Sequence, residues 1–313
     1  MRFTILITTY NRLEFLKRAI DSALSQTVPC EIIVVDDFST DGTEEYCKKL
    51  GNRIVYCRNK KNSGHSASVN RGVELASGEW IKLVDDDDYL AEDCIKELEK
   101  ALEKHPSAVI CSMQSFQVNK KGEKIKITAK TGPGKVFYIP QEDIHYGMLL
   151  EFVPFGTATQ VAFKKNAFIK SGGWDSKLDT NFDEIYSWVK IAKFGDAIFI
   201  NQPLVYRTVW EGGYNNDFSF KKKMETNFLI KKMIYENTNK KNKKCIPKLK
   251  DVRNYLRLYW GLVAIKNKAV LEGLRLSFPA LYSSQAWKIL IKKVLATNCK
   301  YKYKNVKKIV LVP

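Results

Sequence analysis

Four carboxylates in a row, Asp85-Asp86-Asp87-Asp88, follow directly on a strand-like run, Glu79–Val84. Adjacent carboxylates repel one another, and a divalent cation relieves the repulsion. Hard oxygen ligands of this kind suit Mg2+ or Mn2+. Such ions are commonly held by one or two protein carboxylates together with substrate phosphates. The competing reading is a solvated acidic turn capping the next helix, a place that aspartate favours. Two other positions carry groups suited to a nucleotide. The Tyr10 ring can stack on a base, and the Asp37 carboxylate can accept from a base imide N–H. Taken alone each is weak, since Asp-Asp-X-Ser is also a good turn sequence. Asn70 and Arg71, on a helix that opens after Asn62-Ser63-Gly64, could support that pocket, or Arg71 could simply pair with a structural carboxylate. Later, Asp183-Glu184 open another helix-like segment. There a carboxylate is either a general base for a hydroxyl or an ordinary first-turn acid.

The elements that must position these groups alternate. Strands are expected at Phe3–Thr8, Glu31–Asp36, Arg53–Cys57 and Glu79–Val84, and helices at Arg12–Gln26, Thr43–Leu50, Ser66–Ala76 and Glu92–Lys104. Alternating β and α units imply a mostly parallel sheet with helices on both faces. Ligands of such sheets bind outside the carboxyl ends of the strands. The polar runs Thr8–Arg12, Asp36-Asp37 and Asp85–Asp88 fall at three of those ends. Further on, short strands are expected at Ala108–Ser112, Phe116–Asn119, Ile125–Thr128 and Gln160–Lys164, and a helix from about Asp183 to Phe194. The segment Val153–Thr157 could border an acceptor, and the glycine-containing run Trp210–Asn216 could form a lid.

Charge divides the chain more sharply than pattern does. Residues 218–313 hold 24 Lys and Arg against four acidic residues, while residues 1–217 hold 28 against 30. A boundary is therefore expected near 217, with a basic helical region beyond it; the first part divides further into residues 1–106, the nucleotide-binding half, and 107–217, the acceptor-side half. Seven scattered cysteines read as free thiols of a reducing compartment. No signal-peptide pattern opens the sequence, and no run approaches the ~18 apolar residues that span a bilayer. These features suggest a cytoplasmic protein.

Taken in order, the motifs resemble those of the family 2 glycosyltransferases with the GT-A fold. The matching segments are Thr8–Arg12, Val34–Thr43, Asn62-Ser63-Gly64, Asn70-Arg71-Gly72, Ala76–Glu79, Asp85–Leu90, Gly172–Asp175 and Asp183-Glu184, across roughly residues 1–207. The resemblance implies a Rossmann-like, mostly parallel sheet and a nucleotide-sugar donor, UDP-sugar first. It implies that Thr8 and Tyr10 line the base pocket with Asp37, and that Arg71 supports it. Asp85 and Asp86 would lie at the donor, Asp85 and Asp87 at the Mn2+ or Mg2+ ion, and Glu184 would be the base. Two departures stand out. The catalytic pair is inverted here, Asp183-Glu184, which leaves open which carboxylate is the base. A histidine found in some relatives after Tyr-Arg is replaced, since Tyr206-Arg207 continues as Thr208-Val209-Trp210. Trp210 could instead stack on a sugar.

The implied reaction is an inverting transfer of sugar to a hydroxyl of a glycan or lipid-linked acceptor, as in bacterial cell-surface polysaccharide synthesis. In the basic region, Trp287, Leu290, Ile291, Val294 and Leu295 share one helical face with lysines off it. That pattern suits either an anionic membrane surface or packing on a domain. Other classes remain to be weighed. The basic region could bind nucleic acid, although it contains no recognisable recognition module. The acidic run could equally serve a metal-dependent phosphatase or nucleotidyltransferase. Neither a G-x-G-x-x-G after the first strand nor a P-loop is present, which argues against a dinucleotide oxidoreductase.

Overall fold

The computed structural model describes residues 2–175, 183–210 and 218–298, with the backbone alone for Asp183 and residues 292–298. Strands β1 (Phe3–Thr9), β2 (Glu31–Asp36), β3 (Val55–Arg58) and β4 (Trp80–Asp85) form the first part of a sheet that has ten strands among the described residues. They run parallel in the order β3-β2-β1-β4. Their connections carry α1 (Leu13–Leu24), α2 (Thr43–Lys49) and α3 (His65–Leu75). Every residue of β1 is buried, as a continuous apolar run covered on two faces should be. Leu16, Ala19, Ile20 and Ala23 of α1 share a core with Phe3, Ile5 and Ile7. On the other face, α3 comes so close at Gly72 that a Cβ there would sit 2.2 Å from Leu6 Cδ1. Successive strand residues point to opposite faces, so helices cover both sides of the sheet.

Past β4 come the short β5 (Tyr89–Leu90), then α4 (Cys94–Lys104), β6 (Ala108–Val118), β7 (Lys124–Ile127), β8 (Val136–Ile139), α5 (Gln141–Leu149) and β9 (Val161–Lys164). Next are α6 (Lys165–Lys170), α7 (Asp183–Ile191) and β10 (Asp196–Thr208). In this half the pairing mixes directions. β9 runs antiparallel to both β4 and β6, β6 runs parallel to β10, and β5 closes the edge antiparallel to β10. The two strands expected at Ala108–Ser112 and Phe116–Asn119 are one. Gln114 and Ser115, which interrupt the apolar pattern, are tied to Thr128 by hydrogen bonds of 2.6 and 2.9 Å. Strand β10 was not foreseen, because Asn201-Gln202-Pro203 breaks its pattern. The strand absorbs that break as register shifts between Ile200 and Pro203 and between Pro203 and Val205.

The chain separates into two compact units. The sheet and its helices make the first, from described residues 2–141, 155–175 and 183–210. The second comprises 142–154 with α8 (Phe220–Asn237), α9 (Leu249–Lys266), α10 (Val270–Ser277) and α11 (Ser284–Asn298). Residues 142–154, which charge alone groups with the first part, join the helical unit through Lys231. Its buried ammonium donates to the Met148 and Leu149 carbonyls at the end of α5 and lies 3.3 Å from Glu151. A cation at a helix C-terminus is the favourable sign. The helical core contains Met224, Tyr255, Leu256, Leu258, Ala280 and Leu290, with Trp287 packed against it. On α11, Leu290 and Trp287 thus take part in this packing, and Ile291 is exposed. Val294 and Leu295 lie outside the described side chains. Cys30, Cys47, Cys57, Cys94, Cys111 and Cys245 are free thiols. No helix among the described residues is long and apolar enough to cross a membrane.

Candidate functional site

The parallel half brings the ends of β1, β2 and β4 together because their registers align. Thr8 pairs with Val35 on one side and Asp85 on the other, and Thr9 with Asp36. Thr8 is buried at that junction, while Tyr10, one step beyond the strand, is exposed with its ring available for stacking. Asn11 takes a positive φ of 52°. Its amide oxygen accepts the Thr40 N–H at 2.7 Å, joining the first loop to the second.

Asp36 and Asp37 do different work. Asp36 is fully buried and accepts from Ser39 N–H at 2.8 Å and the Tyr56 hydroxyl at 2.7 Å, which makes it a structural anchor. Asp37 accepts from Asn59 at 2.7 Å and from the backbone N–H groups of Ser63 and Gly64, each at 2.8 Å. A carboxylate has about four acceptor positions, so Asp37 shapes the loop and retains capacity for one more donor. Arg71 donates to Asn59 at 3.1 Å and so braces Asp37 through that amide. Asn70 holds both backbone polar groups of Trp174 at 2.9 and 2.8 Å. That contact fixes the Gly172-Gly173 turn, whose glycines take φ of +83° and +67°.

The acidic turn is held from several directions. Asp85 exchanges bonds with Thr159: its N–H donates to Oγ1 at 3.0 Å, and that hydroxyl donates back to Oδ2 at 3.3 Å. His65 Nε2 lies 3.6 Å from the other oxygen of Asp85. Asp86 accepts from the Thr9 hydroxyl at 2.9 Å and from Arg12 at 3.1 Å. Asp87 accepts from Trp210 Nε1 at 2.9 Å and lies 3.5 Å from Arg12. Asp88 is buried and accepts the Thr208 N–H at 2.7 Å. The Asp87 backbone carbonyl takes bonds from Arg18, at 2.8 Å, and from Thr208.

These contacts do not balance the charge. Burial, and behind it repulsion from Asp87, raises the Asp85 carboxyl above its ordinary value against the pull of His65. Burial likewise raises Asp86 to about 6 despite Arg12, and raises Asp88 well above the usual range. Beneath the turn, Lys82 is wholly buried and donates to the carbonyls of Leu83, at 2.9 Å, and Thr159. Burial lowers its pKa. By pinning the Thr159 turn, Lys82 positions the hydroxyl that faces Asp85.

Among the described residues, no three Asp, Glu, His or Cys side chains are already gathered as ligands of a metal. An ion held by one or two carboxylates, with diphosphate and water completing its shell, needs no such group. The donor chemistry fits that arrangement, because clustered carboxylates with raised pKa values, Asp86 and Asp88 buried and Asp85 partly so, are what a divalent cation relieves. Asp85 and Asp87 are the carboxylates on which such an ion would draw.

Glu184 lies half-buried in the first turn of α7, next to Asp183 at the helix start. The helix is set by Trp188, wholly buried, whose Nε1 donates to the Gly156 carbonyl at 3.1 Å. Trp188 meets Trp174 edge-on at 5.4 Å, and Trp174 meets His65 at 5.3 Å. A ring pathway therefore runs from α7 to the histidine beside Asp85. Gly156 and Thr157, in the segment Val153–Thr157 expected to border an acceptor, brace α7 and cap the Ala158–Gln160 turn. Trp210 faces Asp87, stacked among Phe15, Arg12 and Lys120. The rest of the expected lid, 211–216, lies outside the described residues.

Sequence reasoning missed His65, Lys82, Thr159 and Thr208. A lysine amid the apolar run Trp80–Val84 was the readable signal for one of them. The threonines gave none, because they reach the turn only through β-pairing and a distant 3₁₀ turn.

The sequence model of glycosyl transferase family 2 matches residues 4–172, more than half of the chain. Glycosyltransferase GlyA of Streptococcus pneumoniae is 35% identical over 105 residues, 32% of this chain and 15% of that protein. The poly(ribitol-phosphate) beta-N-acetylglucosaminyltransferase TarS of Staphylococcus aureus is 28% identical over 139 residues, 42% of this chain and 24% of that protein. The chain thus spans less than a quarter of either relative in these matches. The crystal structure of TarS 1–349 with UDP-GlcNAc superposes with a TM-score of 0.65 at 18% identity, covering 95% of this chain and 83% of that one. Mannosyltransferase PcManGT from Pyrobaculum calidifontis, in complex with GDP-Man and Mn2+, gives a TM-score of 0.55 at 19% identity, covering 98% and 83%. These likenesses show the fold.

Proposed function

The chain belongs to glycosyl transferase family 2 and has the GT-A fold; from that premise we propose that it is an inverting glycosyltransferase. It moves a sugar from a nucleoside diphosphate, UDP first, to a hydroxyl of a glycan or lipid-linked acceptor in cell-surface polysaccharide synthesis. It works in the cytoplasm, at the inner face of the membrane. The observation that carries this reading is the alignment of three strand ends, which sets Tyr10 and Asp37 beside a buried acidic turn. The UDP-GlcNAc bound to TarS supports the choice of donor.

Thr8, Tyr10 and Asp37 form the base pocket, and Arg71 keeps it in shape through Asn59. Asp85 and Asp86 face the ribose and diphosphate, and Asp85 and Asp87 would hold Mn2+ or Mg2+. When bound, the cation neutralises the charge that develops on the leaving diphosphate. Arg12, already paired with Asp86 and Asp87, supplies a second positive group at the same place. Trp210 keeps Asp87 oriented through its indole N–H. Glu184 or Asp183 takes the proton from the acceptor hydroxyl as that oxygen attacks the anomeric carbon from the face opposite the diphosphate.

The test is acceptor-dependent release of nucleoside diphosphate from a panel of nucleotide sugars. A UDP-sugar should be consumed and the product anomer inverted. Glu184→Gln and Asp183→Asn, assayed side by side, should differ, with the base variant losing kcat rather than raising KM. Turnover of no nucleotide sugar with any glycan or lipid-linked acceptor, or retention of the anomeric configuration, contradicts the proposal.

A further inference from the structure

Helix α10 buries Gly273, Leu276 and Ser277 and turns most of its large apolar residues outward. Gly273 meets Gly261 of α9 backbone to backbone: a Cβ on Gly261 would sit 2.8 Å from the Gly273 carbonyl, and one on Gly273 would sit 2.6 Å from the Gly261 carbonyl. Ser277 and Ala280 continue this buried side. The large side chains point the other way. Leu271 is 73% exposed, Leu274 54%, Phe278 67% and Tyr282 93%. Their spacing places Leu271, Leu274 and Phe278 on one side of α10 and of the Phe278–Ala280 turn that prolongs it, with Tyr282 just beyond that turn. Helices of water-soluble domains bury such a stripe, and contiguous exposed apolar surface marks an interaction site.

The charge around the stripe is one-sided. Lys266, Lys268, Arg275 and Lys288 are all exposed. Residues 262–291 contain a single acid, Glu272, whose carboxylate accepts the Lys221 N–H at 2.9 Å.

We propose that the α10 stripe is the surface by which this protein docks on an anionic phospholipid bilayer. Leu271, Leu274 and Phe278 enter the boundary between headgroups and acyl chains. Tyr282 sits among the headgroups, and the lysines and Arg275 meet lipid phosphates. Charge selects the lipid over a second copy of the chain: with 24 basic residues against four acidic in 218–313, two such faces repel each other and an anionic leaflet attracts them. Attachment is peripheral, through a partly inserted helix rather than a spanning one. The inference is independent of the transfer reading, since it needs neither donor nor acceptor.

The experiment is flotation of the full chain with vesicles of phosphatidylglycerol and phosphatidylcholine, or of phosphatidylcholine alone, at low and physiological salt. Binding is expected to the anionic vesicles and to weaken with salt. It should fall at least tenfold in the triple variant Leu271→Ser, Leu274→Ser, Phe278→Ser. Should that variant fail to fold, Phe278→Ala alone is expected to weaken binding several-fold. Three results overturn the proposal: no binding of the wild type to anionic vesicles at low salt, undiminished binding of the folded variants, or a wild-type dimer in sedimentation that the same substitutions dissolve.

Discussion

The two units treat their apolar residues in opposite ways. In the sheet unit, Ile5, Leu6, Ile7, Ile33, Val34 and Val35 are all fully buried, and the buried carboxylates Asp36, Asp37, Asp86 and Asp88 gather where the parallel strands stop. In the helical unit, α10 and the turn after it bury Gly273, Leu276, Ser277 and Ala280 and leave Leu271, Leu274 and Phe278 in water. In each unit the informative residues are those that break the burial rule. Buried carboxylates in the first mark where charge is to be met, and exposed large apolar side chains in the second mark where apolar matter is to be met. The proposed site for a charged small molecule and the proposed surface for a bilayer are thus opposite violations.

The sharpest way to break the comparison is at the acidic turn. Asp87→Ala should lower transfer by at least about a hundredfold, the scale of losing one electrostatic stabiliser of a transition state. Its circular dichroism should match the wild type, because Asp87 contacts side chains rather than the buried sheet. Unchanged turnover would show that this carboxylate is idle.

The contrast within α10 gives the next largest effect. Gly273→Leu forces a side chain against the Gly261 carbonyl and should cost about 1–3 kcal/mol in denaturant unfolding. Leu271→Ser, a few ångströms away on the outer side, should change stability by no more than about 0.5 kcal/mol. Equal costs at the two positions would remove the inside-out reading of the helix.

A third substitution sharpens the role of Asp37. Asn in its place keeps the shape but turns an amide donor toward one of the three N–H groups that the carboxylate now accepts. The expected loss is about 1–3 kcal/mol of stability, the cost of leaving such a buried group unpaired, together with weaker nucleotide binding. A variant with normal stability and no nucleotide affinity would make Asp37 a reader of the base alone.

The mildest effect is in pH. Asp85, Asp86 and Asp88 are all raised by burial, Asp86 to about 6 from an ordinary 3.8. A raised carboxyl is protonated more readily in the folded state than in the unfolded one, so its ionisation weakens stability as pH rises from about 4 through about 6. A cation requires the ionised form. Donor binding with Mn2+ should therefore weaken as pH falls below about 6, at most about tenfold per unit for each proton taken up. Binding flat from pH 5 to 8 would contradict the shifts.

The first half of the sheet was readable because its strands are continuous apolar runs separated by helices with plain faces. Phe3–Thr9, Glu31–Asp36 and Trp80–Asp85 lie within a residue of the strands that pattern suggests. β10 was hidden because its thirteen residues include Asn201 and Pro203, which buried amide bonds and bulges accommodate. The acidic run and its neighbouring loops were visible as motifs, and the registers of β1, β2 and β4 bring those loops together. Their supports were not. Thr159, Thr208 and Lys82 act through partners far along the chain, and no local spacing encodes such a contact. On α11, helical periodicity found the apolar face but could not tell a neighbour from a membrane; on α10 it would have chosen the wrong side as core.

The central claim is that a nucleoside diphosphate binds at the acidic turn through a cation drawn to Asp85 and Asp87. Isothermal titration of UDP into the full chain, with Mn2+ or with a chelator, tests it directly when repeated on Asp87→Ala. The account predicts binding with Mn2+, at least tenfold weaker with chelator, and a variant whose affinity no longer responds to the metal. Equal affinity in chelator, or a variant that keeps the full response to Mn2+, would contradict it.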